Sequence, residues 1–219
     1  MIKFKQMDND SLELGNVINV GPTAILVIDL QNAYCSKKGS MARLGHDTSI
    51  NEEIVSRISN FLDKARNLAT LVIFTKMIED PEYMADNAKL KATMAKNTVA
   101  VSSPGTFDFE YAGIKPNDTD KEITKKSYDV FSNPDLEKML VEGGIKNLII
   151  TGVNGDVCVD TTIRSAYTKG YNVIVPEDLV GTIKDKIYRQ ESVIGLWKQF
   201  FAYVLDSKTI INTLQKYRK

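Results

Sequence analysis

The chain has 219 residues, of which 43% are hydrophobic and 26% charged, and its 28 basic residues balance its 28 acidic residues. This composition is typical of a folded globular protein and excludes collagen-like, coiled-coil and disordered chains. The zero formal net charge offers no basic surface for nucleic acid or for an anionic membrane. We therefore predict one compact domain over residues 1–219 that acts on a small molecule, with no nucleic-acid or membrane partner.

Three further features of the sequence limit the cellular compartment and the kind of site that the protein can have. Two cysteines, Cys35 and Cys158, are too few for a disulfide framework, and residues 1–10 are polar rather than an apolar signal core. No apolar run approaches the roughly 18 residues that span a bilayer. A lone histidine, His46, excludes a His-rich metal site and any mechanism that needs two histidines. We expect a cytoplasmic protein.

The N-terminal half predicts two buried strands separated by a helix. After an irregular segment at residues 1–22, residues 24–30 form an apolar, β-branched run that is typical of a strand covered on both faces of a parallel sheet. A capping-box pattern at residues 49–52 precedes apolar residues at helical spacing up to Ala65. A second strand of the same kind follows at residues 71–75.

The C-terminal half alternates strands with helices after a long, proline-punctuated stretch. Residues 78–121 contain few apolar runs and predict a functional loop region with short helices. Strands and helices then alternate, with strands at 122–125, 148–151, 171–175 and 203–205 and helices at 134–143, 157–168, about 185–199 and from Ser207 onward. This order predicts βαβ units, and hence a three-layer α/β/α fold with a mostly parallel, roughly six-stranded Rossmann-like sheet.

Three ionisable side chains fall at the carboxyl ends of predicted strands, where ligands bind in open parallel sheets. Asp29 ends the first strand, Lys125 or Lys126 ends the third, and Cys158 follows the fourth after a glycine-bearing turn. A helix N-terminus and a nearby ammonium group would lower the pKa of the thiol, and a carboxylate could accept its proton. The N–H groups of the turn could stabilise an oxyanion. This set favours nucleophilic catalysis.

Each of the three residues also has a purely structural interpretation. A buried cysteine fills space in many cores, an acid at a strand end caps the following turn, and a lysine beside another lysine faces solvent. The functional interpretation depends on all three meeting at one edge of the sheet.

Three segments resemble the isochorismatase-like cysteine hydrolases. The resemblance extends from Ala24 to about Leu214, and its segments are AILVIDLQNAY at 24–34, ITKKSYDVF at 123–131 and ITGVNGDVCVDTTIRSA at 150–166. The resemblance implies the fold predicted above and a triad of Asp29, Lys125 and Cys158. Lys125 matches the family lysine because it precedes Tyr128 by three residues.

The same resemblance implies an oxyanion hole. It predicts a cis peptide between Val153 and Asn154, with the backbone N–H groups of Asn154 and Cys158 as the donors. It also implies a homodimer or homotetramer. The substrate-binding residues are not identified.

One departure from the family narrows the activity. Nicotinamidases of this superfamily bind a metal through an aspartate and two histidines after the second strand, whereas residues 75–82 contain no histidine. We interpret Glu79, Asp80 and Glu82 as a solvent-exposed acidic turn, and we predict no metal and no cofactor. Isochorismatases that cleave a vinyl ether can lack the cysteine, so Cys158 favours amide or ureido chemistry.

The resemblance thus implies a metal-independent cysteine hydrolase that cleaves a C–N bond of a small amide, ureido or N-carbamoyl compound through a thioester. Two alternatives stay open: a vinyl-ether hydrolase that does not need Cys158, and a non-catalytic protein that binds a small ligand on the same fold. Cys35 is expected to be a small buried filler and His46 a loop residue.

Overall fold

The computed structural model describes residues 13–96 and 99–217. Within these residues the central feature is a seven-stranded sheet in the order β3-β2-β1-β4-β5-β7, with β6 beside β4. Each pairing between these strands is parallel. The strands are β1 Thr23–Ile28, β2 Leu71–Met77, β3 Lys121–Lys125, β4 Asn147–Val153, β5 Asn172–Pro176, β6 Val180–Gly181 and β7 Tyr203–Leu205. The predicted fold class is confirmed, and β6, with two residues, is too short to leave a sequence pattern.

Helices cover both faces of the sheet. They are α1 at residues 13–18, α2 Asn32–Cys35, α3 Ser40–Arg43, α4 Ser49–Ala65, α5 Asp86–Met94, α6 Pro134–Glu142, α7 Asp160–Thr168, α8 Ile187–Leu196 and α9 Ser207–Tyr217. Two π-helical turns, Gly155–Val159 and Trp197–Phe201, lead into α7 and out of α8. Among the described helices, none is both long and apolar enough to cross a membrane.

Strand β1 shows why the fold has three layers. Successive side chains of a strand point to opposite faces, and the residues of β1 divide between two cores accordingly. Ile25 and Val27 pack with α4 and α9, whereas Leu26 and Ile28 pack with α6 and α7. All six residues of β1 are buried, as expected for a strand with helices on both sides.

The N-terminal segment differs from its prediction. Residues 13–18 form helix α1, whose Leu14 and Ile18 are no more than 2% exposed in the core, so the prediction of irregular structure over 1–22 is wrong there. Residues 1–12 lie outside the described part. Leu14, Val17 and Ile18 do follow helical spacing, but fewer than two turns are too short to identify a helix from sequence. Their packing with α4 and α9 buries them.

Local signals at the helix ends had mixed outcomes. At α6 the Asn133 side chain caps the helix by accepting a hydrogen bond from the Asp135 N–H, and Pro134 occupies the first helical position. At α4 the predicted capping box does not form: the N-cap residue is Thr48 rather than Ser49, and its side chain makes no hydrogen bond to the helix. At α9 the N-cap is Asp206, whose carboxylate accepts a hydrogen bond from the Thr209 N–H.

Candidate active site

The carboxyl edge of the sheet brings Asp29, Lys125 and Cys158 together. Asp29 directly follows β1, Lys125 is the last residue of β3, and Cys158 lies in the π-helical turn after β4. The Lys125 Nζ lies 2.7 Å from Asp29 Oδ2 and 3.4 Å from Cys158 Sγ. The acid, the amine and the thiol are therefore in direct contact through the lysine.

The position of Lys125 follows from strand alternation and from side-chain length. In β3 the buried residues are Ile123 and Lys125, whereas the residues beside them are exposed. Strand β3 is two strands away from β1, roughly 10 Å across the sheet, and a long lysine side chain can span most of that gap. Lys126 points the other way, is exposed, and lies 5.3 Å from the ring centre of Tyr83.

Asp29 is held by two different partners. Its backbone has a φ of 53°, in the left-handed region that aspartate tolerates better than most residues. The Thr75 hydroxyl donates to Asp29 Oδ1 at 2.6 Å, and the Asp29 N–H donates to the same hydroxyl oxygen. Since Oδ2 faces Lys125, the carboxylate is fixed in one orientation.

The charges around Cys158 oppose one another. Burial raises the pKa of the thiol, the Lys125 ammonium lowers it, and the nearby Asp29 carboxylate raises it again, so that the net pKa lies well above its ordinary value. The expectation of a lowered thiol pKa is therefore wrong for this site, because desolvation outweighs the ammonium. The resting side chain is a neutral thiol beside an acceptor carboxylate.

At Lys125 the neighbouring groups, and not burial, decide the direction of the pKa shift. Burial alone would lower its pKa, but the Asp29 charge and the hydrogen bonds to Asp29 and Cys158 outweigh burial and raise it. Its Nζ also donates to the Ser127 carbonyl at 3.2 Å. Lys125 thus stays an ammonium ion inside the protein, where it can stabilise a thiolate.

The turn between β4 and α7 contains the expected cis peptide between Val153 and Asn154. The Asn154 carbonyl accepts hydrogen bonds from the N–H groups of Val157 and Val159. Just before it, Gly152 has a φ of 117°, and a Cβ at this position would lie 2.1 Å from the Ile28 carbonyl oxygen. Only glycine lets β4 pass this close to β1.

A family model described as the isochorismatase domain matches residues 23–209. The chain belongs to the isochorismatase family. It is 29% identical over 206 residues to the ureidoacrylate amidohydrolase RutB of Acinetobacter baylyi. The aligned region covers 88% of this chain and 84% of that protein.

Two solved structures share the fold of this isochorismatase-family chain. A cysteine hydrolase from Pseudomonas syringae has a TM-score of 0.75 and 23% identity, covering 89% of this chain and 93% of the other. The N-carbamoylsarcosine amidase of Thermoplasma acidophilum has a TM-score of 0.69 and 21% identity, covering 85% and 97%.

Several residues around this isochorismatase-family site were missed by sequence reasoning. The buried Gln31 side chain donates to the Met77 carbonyl and to the Ser102 hydroxyl, and accepts from the Met77 N–H. It ties the end of β1 to the end of β2 and to the loop around Ser102. Its place two residues after Asp29 was a usable signal, since the motif DLQ contains it.

Asn51 of α4 was also missed. It is completely buried, and its side-chain amide donates to Asn154 Oδ1 at 2.9 Å and to the Tyr34 carbonyl at 3.1 Å. A polar residue at an apolar-face position of the predicted helix was the only signal. Asn51 links α4 to the turn that carries the cis peptide.

The acidic turn after β2 requires a correction. Glu82 is exposed as expected, but Glu79 is half-buried and accepts a hydrogen bond from the Tyr34 hydroxyl at 2.8 Å. Asp80, also half-buried, accepts from the Ser103 hydroxyl. The interpretation of all three as a solvent-exposed turn is therefore wrong, because loop 99–103 and α2 cover part of it.

The remaining candidates have simpler roles. Cys35 is 1% exposed in the core, which confirms it as a buried residue. His46 lies in a loop, as predicted, 3.4 Å from Asp185. Across residues 13–96 and 99–217 no group of three or more His, Cys, Asp or Glu side chains is arranged to hold a metal ion, and the absence of a metal stays a prediction.

Proposed function

We propose that this chain is a metal-independent cysteine hydrolase that cleaves the C–N bond of a small amide, ureido or N-carbamoyl compound through a thioester. The observation that carries the proposal is the contact of one buried ammonium group with both an acid and a thiol, at 2.7 Å and 3.4 Å. Asp29, Lys125 and Cys158 are the catalytic residues, and no cofactor takes part.

Acylation begins with the neutral thiol. As Cys158 Sγ attacks the carbonyl carbon, its proton passes to Asp29, and the Lys125 ammonium stabilises the negative charge on sulfur. Since burial raises the pKa of the free thiol, proton transfer accompanies attack instead of preceding it. The tetrahedral intermediate then collapses, Asp29 returns the proton to the nitrogen, and ammonia or an amine leaves.

Deacylation uses the same residues. A water molecule attacks the thioester carbonyl and gives a proton to Asp29. The C–S bond then breaks, the acid product departs, and Cys158 recovers its proton from Asp29. In both halves the backbone N–H groups of Asn154 and Cys158 are the proposed donors to the oxyanion, an interaction worth on the order of a hundredfold or more in turnover.

The relatives support this reaction class. Ureidoacrylate amidohydrolase and N-carbamoylsarcosine amidase both act, by their names, on substrates with a carbonyl carbon bonded to nitrogen. The geometry favours C–N cleavage over vinyl-ether cleavage, because vinyl-ether cleavage would not use the contact between Lys125 and Cys158.

Turnover by cysteine variants tests the mechanism. We expect the wild-type protein to release ammonia from some members of a panel of small amides, ureides and carbamoyl acids, and Cys158→Ala to lose at least about a thousandfold. The matched control is Cys35→Ala, which removes the other buried cysteine and is expected to retain turnover. Intact-mass spectrometry of the working enzyme is expected to find an acyl group on Cys158.

The alternatives give different results in the same experiment. A vinyl-ether hydrolase would keep its turnover of isochorismate in Cys158→Ala. A non-catalytic ligand-binding protein would turn over neither class, and no acyl group would form on its Cys158. If Cys158→Ala hydrolysed amides at the rate of the wild-type protein, the mechanism would be overturned.

We further propose that residues 1–219 form a single hydrolase domain, that the protein is cytoplasmic, and that it assembles as a homodimer or homotetramer. Exposed aromatic residues near the edge strand β7 support the assembly: Phe200 is 53% and Tyr167 52% exposed. Sedimentation equilibrium measures the mass directly, and a monomer would contradict this part.

A further inference from the structure

Glu79 is an acidic side chain beside the catalytic groups that the mechanism above does not use. It lies just after β2, and its backbone is fixed by hydrogen bonds to Val101 and Ser102. The Tyr34 hydroxyl, which belongs to a residue only 5% exposed, donates to Glu79 Oε2 at 2.8 Å. The loop and the tyrosine therefore hold the carboxyl group in a defined place.

The backbone places this carboxyl group near the triad, because the N–H of the preceding residue, Ile78, donates to the Lys125 carbonyl at 2.8 Å. Burial raises the pKa of Glu79, the Tyr34 hydrogen bond and the Lys125 charge lower it, and the Asp29 charge raises it, with a net increase. Tyr128 is 50% exposed, and its pKa is raised first by burial and then by Glu79 and Cys158. Glu79 and Lys125 therefore lie at the same edge of the sheet, at the ends of the neighbouring strands β2 and β3.

The hydrogen-bonding capacity of Glu79 is not used up within the described residues. Tyr34 is the one side chain there that hydrogen-bonds it, and a carboxylate offers about four acceptor positions. A partly buried carboxylate with spare acceptor positions, at the same edge of the sheet as the proposed triad, is suited to bind an N–H group of a substrate.

We propose that Glu79 determines substrate specificity by accepting a hydrogen bond from an N–H or ammonium group near the scissile amide and by repelling substrates with a carboxylate there. This inference rests on the proposed function, since it assigns a substrate class to the same site. Asp29 already pairs with the buried ammonium group of Lys125, and Glu79, just after the neighbouring strand β2, adds a second carboxyl group at this edge of the sheet. A third negative charge is costly in such a site.

Three amides of similar size test the charge rule: β-alaninamide carries an ammonium group, butyramide is neutral, and succinamate carries a carboxylate. Their binding to the Cys158→Ala protein is measured by calorimetry, so that no turnover is needed. We expect affinity to fall in that order, with β-alaninamide at least about tenfold tighter than succinamate. In Cys158→Ala/Glu79→Gln this ratio is expected to fall by about tenfold or more.

Matched variants separate charge from structure. Glu82→Gln removes an exposed carboxylate of the same turn and is expected to leave the ratio unchanged, whereas Glu79→Asp retains the charge and is expected to keep the preference for β-alaninamide. A ratio that Glu79→Gln leaves within twofold would overturn the proposal, as would preference for succinamate by the protein with Glu79, or no binding of any of the three.

Turnover is scored separately with Cys158 present. If the binding ratio shifts as expected but no amide is hydrolysed by the wild-type protein, the proposed function fails while the role of Glu79 in recognition stands. If amides are hydrolysed but the ratio does not shift, only the inference about Glu79 fails.

Discussion

Lys125 and Asp29 form an ion pair of 2.7 Å in which the two side chains are 0% and 1% exposed. Burying two charges costs several kcal/mol for each ion, and their attraction offsets this cost only in good geometry. A core of apolar residues would be as stable or more stable. The pair is therefore better explained by the ammonium it presents to Cys158 than by stability.

Breaking this pair is predicted to destabilise the fold. Lys125→Met leaves the Asp29 carboxylate buried without its cation, and we expect the free energy of unfolding to fall by about 3 kcal/mol or more. Urea denaturation measures the loss. The double variant Asp29→Asn/Lys125→Met removes the uncompensated charge and is expected to regain part of it.

The neighbouring lysine is the control for that prediction. Lys126 is exposed, so Lys126→Met is expected to change the free energy of unfolding by no more than about 0.5 kcal/mol. Equal losses for the two lysine variants would show that the buried pair has no special role.

Replacement of Asp29 is predicted to affect thiol reactivity and turnover in opposite directions. The Asp29 charge raises the pKa of Cys158 while Lys125 lowers it. In Asp29→Asn the thiol pKa therefore falls, the thiolate fraction at pH 8 increases, and alkylation by iodoacetamide becomes faster. Turnover is expected to fall at least about a hundredfold, because the proton acceptor is gone.

The measurement uses the Cys35→Ala background, so that all alkylation reports on Cys158. Asp63→Asn removes an exposed carboxylate of α4 and is expected to change neither rate. Slower alkylation in Asp29→Asn would mean that the carboxylate activates the resting thiol, contrary to the charges described above.

Asn51 is predicted to be a positioning residue that acts through Asn154. In Asn51→Ala the hydrogen bond to Asn154 Oδ1 is lost, and the turn that supplies the proposed oxyanion donors loses its support. We expect kcat to fall by about tenfold or more while KM changes less than threefold, because the oxyanion forms only after binding.

Asn60→Ala, at an exposed position of the same helix, is the control and is expected to retain kcat. A drop in melting temperature in Asn51→Ala with an unchanged kcat would assign Asn51 a structural role alone.

Gly152 is predicted to tolerate no side chain. In Gly152→Ala the new Cβ would lie 2.1 Å from the Ile28 carbonyl oxygen, and neither backbone can move without breaking the pairing of β1 with β4. We expect a loss of about 3 kcal/mol or more in the free energy of unfolding. Gly170→Ala, also at positive φ but with open space around it, is expected to lose about 1 kcal/mol.

Much of the site was predictable because it follows the order of strands. Apolar β-branched runs identify buried parallel strands, and the carboxyl ends of such strands meet at one edge. Asp29 and Cys158 could therefore be placed together from their positions after β1 and β4. Choosing Lys125 over Lys126 needed the family resemblance, since the sequence of so short a strand does not show which of its alternating side chains face the interior. The observed alternation of buried and exposed residues along β3 agrees with that choice.

The sequence by itself thus determined the α/β/α fold, the family and the three residues of the proposed triad, because periodicity and strand order are local properties that add up along the chain. Only the tertiary structure decided the surroundings of Glu79, of Asn51 and of the Cys158 thiol. Glu79 is partly buried by contacts with Tyr34 and Ser102, and Asn51 meets Asn154 from 103 positions away. Burial and charge at a point depend on such distant neighbours, which no local pattern contains.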